Sequence, residues 1–157
     1  MAHVNDRPPA SDALVLFGVT GDLAHKMIFP ALYAMVERGA LTVPVVGVAS
    51  TPWNLEQLRE RATDSLEASG VVTKPRTLKR LLSLLRYVPG DYADARTFED
   101  LKRVLGPARR PAHYLAIPPS LFETVIQGLG TAGLACLDSF ARYSPSCPVA
   151  TDGQSQL

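Results

Sequence analysis

Two glycines and an alanine near the start of the chain are spaced Gly18-x-x-Gly21-x-x-Ala24, directly after the apolar run Ala13–Phe17. That spacing has a chemical use. A glycine at the first position permits a tight turn, and one at the second lets backbone approach a bulky anion. A small residue at the third lets the following helix lie close to the strand. Unpaired amides and the helix dipole then attract phosphate charge, as in dinucleotide-binding turns. The plainer alternative is a strand-to-helix turn that merely uses glycines. Asp22 complicates the first reading, because a carboxylate repels a pyrophosphate, and it is expected to cap the helix or face another group. The end of the second apolar run, Val48-Ala49-Ser50-Thr51, carries neither an acid for a ribose 2′-hydroxyl nor an arginine for a 2′-phosphate. Ser50 and Thr51 offer neutral hydroxyls instead. Ser50 lies 32 residues after Gly18, against roughly 20 in the usual arrangement, and a long kinked helix accounts for the difference.

The elements that must position these residues follow from the pattern. Ala13–Phe17 and Val43–Ala49 read as strands apolar on both faces, as in a buried parallel sheet. A helix runs from the glycine turn to about Arg38, with Gly39 as its stop and Pro30 as a kink. Asn54 and Gln57 suit a capping box for the helix carrying Leu55, Leu58, Ala62 and Leu66. Leu78 to Leu85 marks another helix, Arg86–Pro89 a weak third strand, and Asp94 the cap of a helix through Leu105. Ala112–Ile117 is a fourth strand. Ser120 and Glu123 suit a second capping box, before a helix with Phe122, Val125, Ile126 and Leu129. The alternation predicts an α/β fold, a Rossmann-type doubly wound parallel sheet, incomplete at its C-terminal side. Residues 1–12 form a disordered lead-in, 13–135 the dinucleotide-binding domain, and 136–157 an irregular tail without a legible fifth strand.

Composition narrows the function classes. The chain has 157 residues, 46% apolar and 20% charged, with a net charge of +1, which suits one globular domain and excludes a polybasic nucleic-acid binder. No apolar run approaches the roughly 18 residues that span a bilayer, and the N-terminus lacks a signal-peptide pattern, so a cytoplasmic domain is expected. Cys136 and Cys147 read as free thiols without enough neighbours for a metal site. His3, His25 and His113 lack a carboxylate at dyad spacing, and no catalytic residue is assigned.

The stretch LVLFGVTGDLAHKMIFPALYAM resembles the N-terminus of glucose-6-phosphate dehydrogenases. The likeness continues through Val46-Val-Gly-Val-Ala, Tyr87-Val-Pro-Gly-Asp-Tyr92 and Tyr114-Leu-Ala-Ile-Pro-Pro119, and is read to about Ala135. The resemblance implies that Gly18, Val19, Thr20, Gly21, Asp22 and Leu23 hold the pyrophosphate of NADP or NAD. It places Ser50 where the family has its 2′-phosphate-reading arginine, so strict NADP preference is not implied, and it puts Phe122 near the cofactor. It also implies the parent reaction, oxidation of glucose 6-phosphate to the lactone. Two family strings, Glu-Lys-Pro-Phe-Gly and Arg-Ile-Asp-His-Tyr-Leu-Gly-Lys, do not occur in the sequence. A truncated or frame-shifted cofactor half, inactive alone, is therefore expected. Two alternatives stand beside it: a non-catalytic nucleotide- or partner-binding module that associates with a full-length relative, and a vestigial fragment.

Overall fold

The computed structural model describes residues 10–135. The readings made of His3, Cys136, Cys147 and the irregular tail lie outside the described residues.

Four strands form one parallel sheet in the order β3-β2-β1-β4. They are β1 (Ala13–Phe17), β2 (Val45–Ala49), β3 (Leu85–Pro89) and β4 (Pro111–Leu115). The helices are α1 (Phe29–Glu37), α2 (Leu55–Ala68), α3 (Pro75–Leu84), α4 (Ala95–Leu105) and α5 (Phe122–Thr131). The α/β reading and the parallel sheet therefore hold. Leu85, assigned by sequence to a helix, instead begins β3. The chain steps outward from β1 to β3, then returns to lie on the other side of β1. That reversal between β1 and β4 is the switch point where open α/β sheets bind ligands.

The sheet is apolar on both faces because parallel strands need helical cover on each side. Leu16, Val45, Ala49 and Leu85 face α1, α2 and α3, meeting Phe29, Leu32, Leu58, Leu66 and Leu81. Val15, Phe17, Val46, Val48 and Val88 face α4 and α5, meeting Phe98, Leu101, Val125 and Leu129. Asp12, assigned to the lead-in, is anchored: its carboxylate accepts from the amides of Arg109 and Arg110 at 2.7 and 2.8 Å.

Three local features carry the first helix and its neighbours. Pro30 does not kink a regular helix; residues Ala24–Ile28 form a π-helical turn that runs straight into α1, with Pro30 in its first turn. In that register the Phe29 amide donates to the Ala24 carbonyl. The next carbonyl, that of His25, would need an amide that proline lacks. Ser65, buried on α2, donates its hydroxyl to it instead. Gly39 ends the helix with φ of +73°, as its position suggests. Asn54 and Gln57 form the expected capping box, each accepting at 2.9 Å. The second box fails: Pro119–Leu121 is a short 3-10 turn, and no side chain caps α5.

Candidate functional site

The glycine turn sits at the carboxyl edge of the sheet, beside the switch point. Gly18 has φ of +82°, and an added Cβ would lie 2.2 Å from the Ala116 carbonyl oxygen. Only glycine fits there, because β4 leaves the sheet against it. The Gly21 amide donates to the Gly18 carbonyl at 3.0 Å and closes the turn. The first helical bond runs from the His25 amide to the Gly21 carbonyl, 3.2 Å. The amides of Asp22, Leu23 and Ala24 thus precede the first intrahelical bond, and groups so placed look outward for partners. Ala24 is buried, as its place in the motif requires, while Gly21, Asp22 and Leu23 are exposed.

Asp22 caps nothing: no side chain caps this helix start, and its carboxylate has no hydrogen bond among the described residues. Val19 is buried and fills the space over Gly47, where an added Cβ would come within 2.6 Å of it. Thr20 Oγ1 lies 2.9 Å from Thr51 Oγ1, so the glycine turn and the end of β2 are joined by a hydroxyl pair. Ser50 is exposed and makes no hydrogen bond among the described residues. Phe122, at the start of α5 on the β4 side, is 36% exposed.

The sequence reading missed two tyrosines at this edge. Tyr87, on β3, donates its hydroxyl to the Thr51 carbonyl at 2.5 Å. Tyr92 donates to the Val48 carbonyl at 3.2 Å, which also receives the Gly18 amide at 2.8 Å. Burial pushes the Tyr87 phenol up to about 12, with the neighbouring Tyr92 adding to it, and burial also raises Tyr92. Both are therefore neutral donors at ordinary pH. The text Tyr87-Val-Pro-Gly-Asp-Tyr92 was visible, but nothing in it tells where a tyrosine hydroxyl will land on the neighbouring strand.

The edge suits an anion better than a proton transfer. Among Gly18, Val19, Thr20, Gly21, Asp22, Leu23, Ser50 and Phe122, only Asp22 carries an acidic or basic side chain. His113 sits in β4 with its ring 6.1 Å from that of Phe17 and Nε2 at 3.0 Å from the Leu134 carbonyl. Burial lowers its pKa despite that carbonyl contact. The residues present fit a dinucleotide pyrophosphate at the backbone: an exposed glycine and three amides that precede the first intrahelical bond occur together, with the exposed Asp22 carboxylate the one opposing charge. No group of three or more potential metal ligands occurs among the described residues, and none of their helices is long and apolar enough to cross a membrane.

Comparison with known proteins agrees with this arrangement. A family model described as the glucose-6-phosphate dehydrogenase NAD-binding domain matches residues 15–156. The match carries the likeness past Ala135, where the sequence reading ends it. Glucose-6-phosphate 1-dehydrogenase 1 of Mycobacterium bovis is 38% identical over 125 residues, 80% of this chain and 27% of that protein. The Arabidopsis thaliana glucose-6-phosphate 1-dehydrogenase 6, named as cytoplasmic, is 31% identical over 76% of this chain and 26% of its own length. The crystal structure of the Mycobacterium avium enzyme superposes with a TM-score of 0.78 at 41% identity, over 80% of this chain and 28% of that one. The chain thus spans about a quarter of the length of the relatives it matches. With most of its length accounted for by that one model, the chain belongs to the glucose-6-phosphate dehydrogenase family, in its NAD-binding domain.

Proposed function

We propose that this chain binds NADP or NAD through Gly18, Val19, Thr20, Gly21, Asp22 and Leu23, with Ser50 at the adenosine ribose and Phe122 toward the nicotinamide. The observation that carries the reading is the glycine turn itself, whose outward amides lie at the switch point of a 3-2-1-4 parallel sheet. The parent reaction is oxidation of glucose 6-phosphate to its lactone. When bound, the nicotinamide supplies the hydride acceptor. The chain's own residues bind and orient; none of the assigned ones is a base for the sugar hydroxyl. A full-length relative is the partner that would supply one. A cytoplasmic setting belongs to the same reading, supported by the relative so named.

Ser50 gives neutral hydrogen bonds where an arginine would give charge, and charge-assisted contacts are roughly twice as strong. Binding is therefore weak, with little preference between NADP and NAD. Titration of the purified chain with each dinucleotide tests this. A preference of about a hundredfold, roughly 2.7 kcal/mol, overturns the lack of discrimination. Binding that survives Gly21→Val overturns the site. Ser50→Arg is expected to favour NADP by about tenfold, equivalent to about 1.4 kcal/mol.

A further inference from the structure

The hydroxyl pair at the carboxyl edge is held by a third residue on another strand. Thr51 is the centre of this cluster. Its side-chain hydroxyl meets Thr20, in the glycine turn, at 2.9 Å. Its carbonyl accepts the Trp53 amide at 2.8 Å and the Tyr87 hydroxyl at 2.5 Å. Tyr87 also reaches toward the Ala49 carbonyl at 3.5 Å. One tyrosine on β3 therefore pins the backbone on both sides of Ser50. Without it, the Thr51 carbonyl keeps only its local bond from the Trp53 amide.

We propose that Tyr87 is a positioning residue for cofactor discrimination: it fixes the Ser50–Thr51 turn so that the Thr20–Thr51 hydroxyl pair and Ser50 meet the 2′ position of the adenosine ribose. The chemistry of the pair suits that task. In a linked pair, one hydroxyl donates to the other, and the second keeps its own hydrogen for an outside acceptor. A fixed pair thus offers one outward donor and spare lone pairs. A 2′-phosphate can use the donor alone, whereas a 2′-hydroxyl can use donor or lone pair. Loosening the turn therefore harms NADP more than NAD, because the phosphate has fewer ways to be satisfied.

This inference rests on the proposed cofactor site, so the experiment has one readout that needs no cofactor. Trp53 is the only tryptophan in the chain and lies within the pinned turn, so its fluorescence reports the turn directly. Tyr87→Phe removes only the hydroxyl. The expected result is a shift in Trp53 emission in the free protein, with NADP affinity falling about tenfold and NAD affinity by less than threefold. Thr51→Val removes the hydroxyl pair but keeps the carbonyl held by Tyr87. It should reproduce the larger fall in NADP affinity with little change in Trp53 emission. Equal weakening of both dinucleotides by Tyr87→Phe, or an unshifted Trp53 signal in a protein that binds them, overturns the role of Tyr87 alone. A wild-type chain that binds neither dinucleotide overturns the cofactor reading and the discrimination together.

Discussion

The carboxyl ends of β1 and β2 are fastened by hydroxyls, whereas those of β1 and β4 are fastened by shape. On the β2 side, Thr20, Thr51, Tyr87 and Tyr92 make four side-chain hydrogen bonds that tie the glycine turn, β2 and β3 together. On the β4 side, the Ala116 amide reaches the Phe17 carbonyl at 2.9 Å, and Gly18 lies flush against Ala116. Residues 114–122 make no side-chain hydrogen bond among the described residues, and Tyr114 and Phe122 are exposed. On the proposed reading, a dinucleotide laid across the switch point would find its adenosine half met by fixed polar groups and its nicotinamide half by an edge without hydrogen-bonded side chains.

The largest test of this contrast is turnover. The purified chain is expected to give no glucose 6-phosphate-dependent rise in NADPH or NADH absorbance. Lost positioning removes ~7–11 kcal/mol of barrier lowering, and the lack of a base removes a further ~10²–10⁴ in rate. Turnover near one per second, an ordinary enzyme rate, would show that the β4 side is chemically equipped after all.

The next test contrasts the two glycines. Gly18→Ala forces a side chain into a positive-φ position with backbone 2.2 Å away, and should cost about 3 kcal/mol or more in a denaturant titration. At Gly21 the nearest atom would be 3.3 Å away and φ is not positive. Gly21→Ala should therefore cost under about 1 kcal/mol of stability while weakening dinucleotide binding. Similar losses from the two would mean that steric fit at Ala116 does not distinguish the β4 side.

Ser65→Ala probes the support behind the turn. It leaves the His25 carbonyl beside Pro30 without the hydroxyl of the buried Ser65, at a cost of about 1–3 kcal/mol. A melting curve unchanged by the substitution would show that water reaches that carbonyl.

The smallest effect concerns pH on the β4 side. His113 has its pKa lowered by burial, from a model-compound value of 6.5. The unfolded chain then binds this proton more readily than the folded one. Its contribution is fully present above about pH 6.5 and lost as pH falls from there toward the lower folded value. His113→Phe should remove that part of the acid slope in stability measured between pH 7 and 5. An identical slope in both proteins would place the acid sensitivity elsewhere.

Much of this was legible in the residues. Alternation of apolar runs with helical spacing gave the parallel sheet, because a strand covered on both faces has little choice of side chain. Gly18 and Ala24 were readable because steric demands leave few residue types. The Asn54–Gln57 box was readable because its partners are three residues apart. What sequence could not supply were contacts made at long range. Ser65 answers a carbonyl 40 residues away, and Tyr87 reaches Thr51 at the end of the neighbouring strand, 36 residues away. Ser120 and Glu123 had the right spacing for a cap, yet the 3-10 turn from Pro119 displaced it. Asp22 was expected to find a partner and has none among the described residues.

The central place of β1 has a consequence for synthesis. Of the described strands it is made first, yet its partner β4 begins at Pro111, and the clamp from Asp12 to Arg109 closes across 97 residues. At ribosomal rates of about 5–20 residues per second, the β4 side of β1 waits roughly 5–20 seconds for its mate. During that wait Val15 and Phe17, buried in the finished sheet, lack their cover from α5 and, until Leu105 is made, from α4. A nascent chain halted before residue 111 would thus present an apolar strand unpaired along one edge, the kind of surface on which chaperones and aggregates compete.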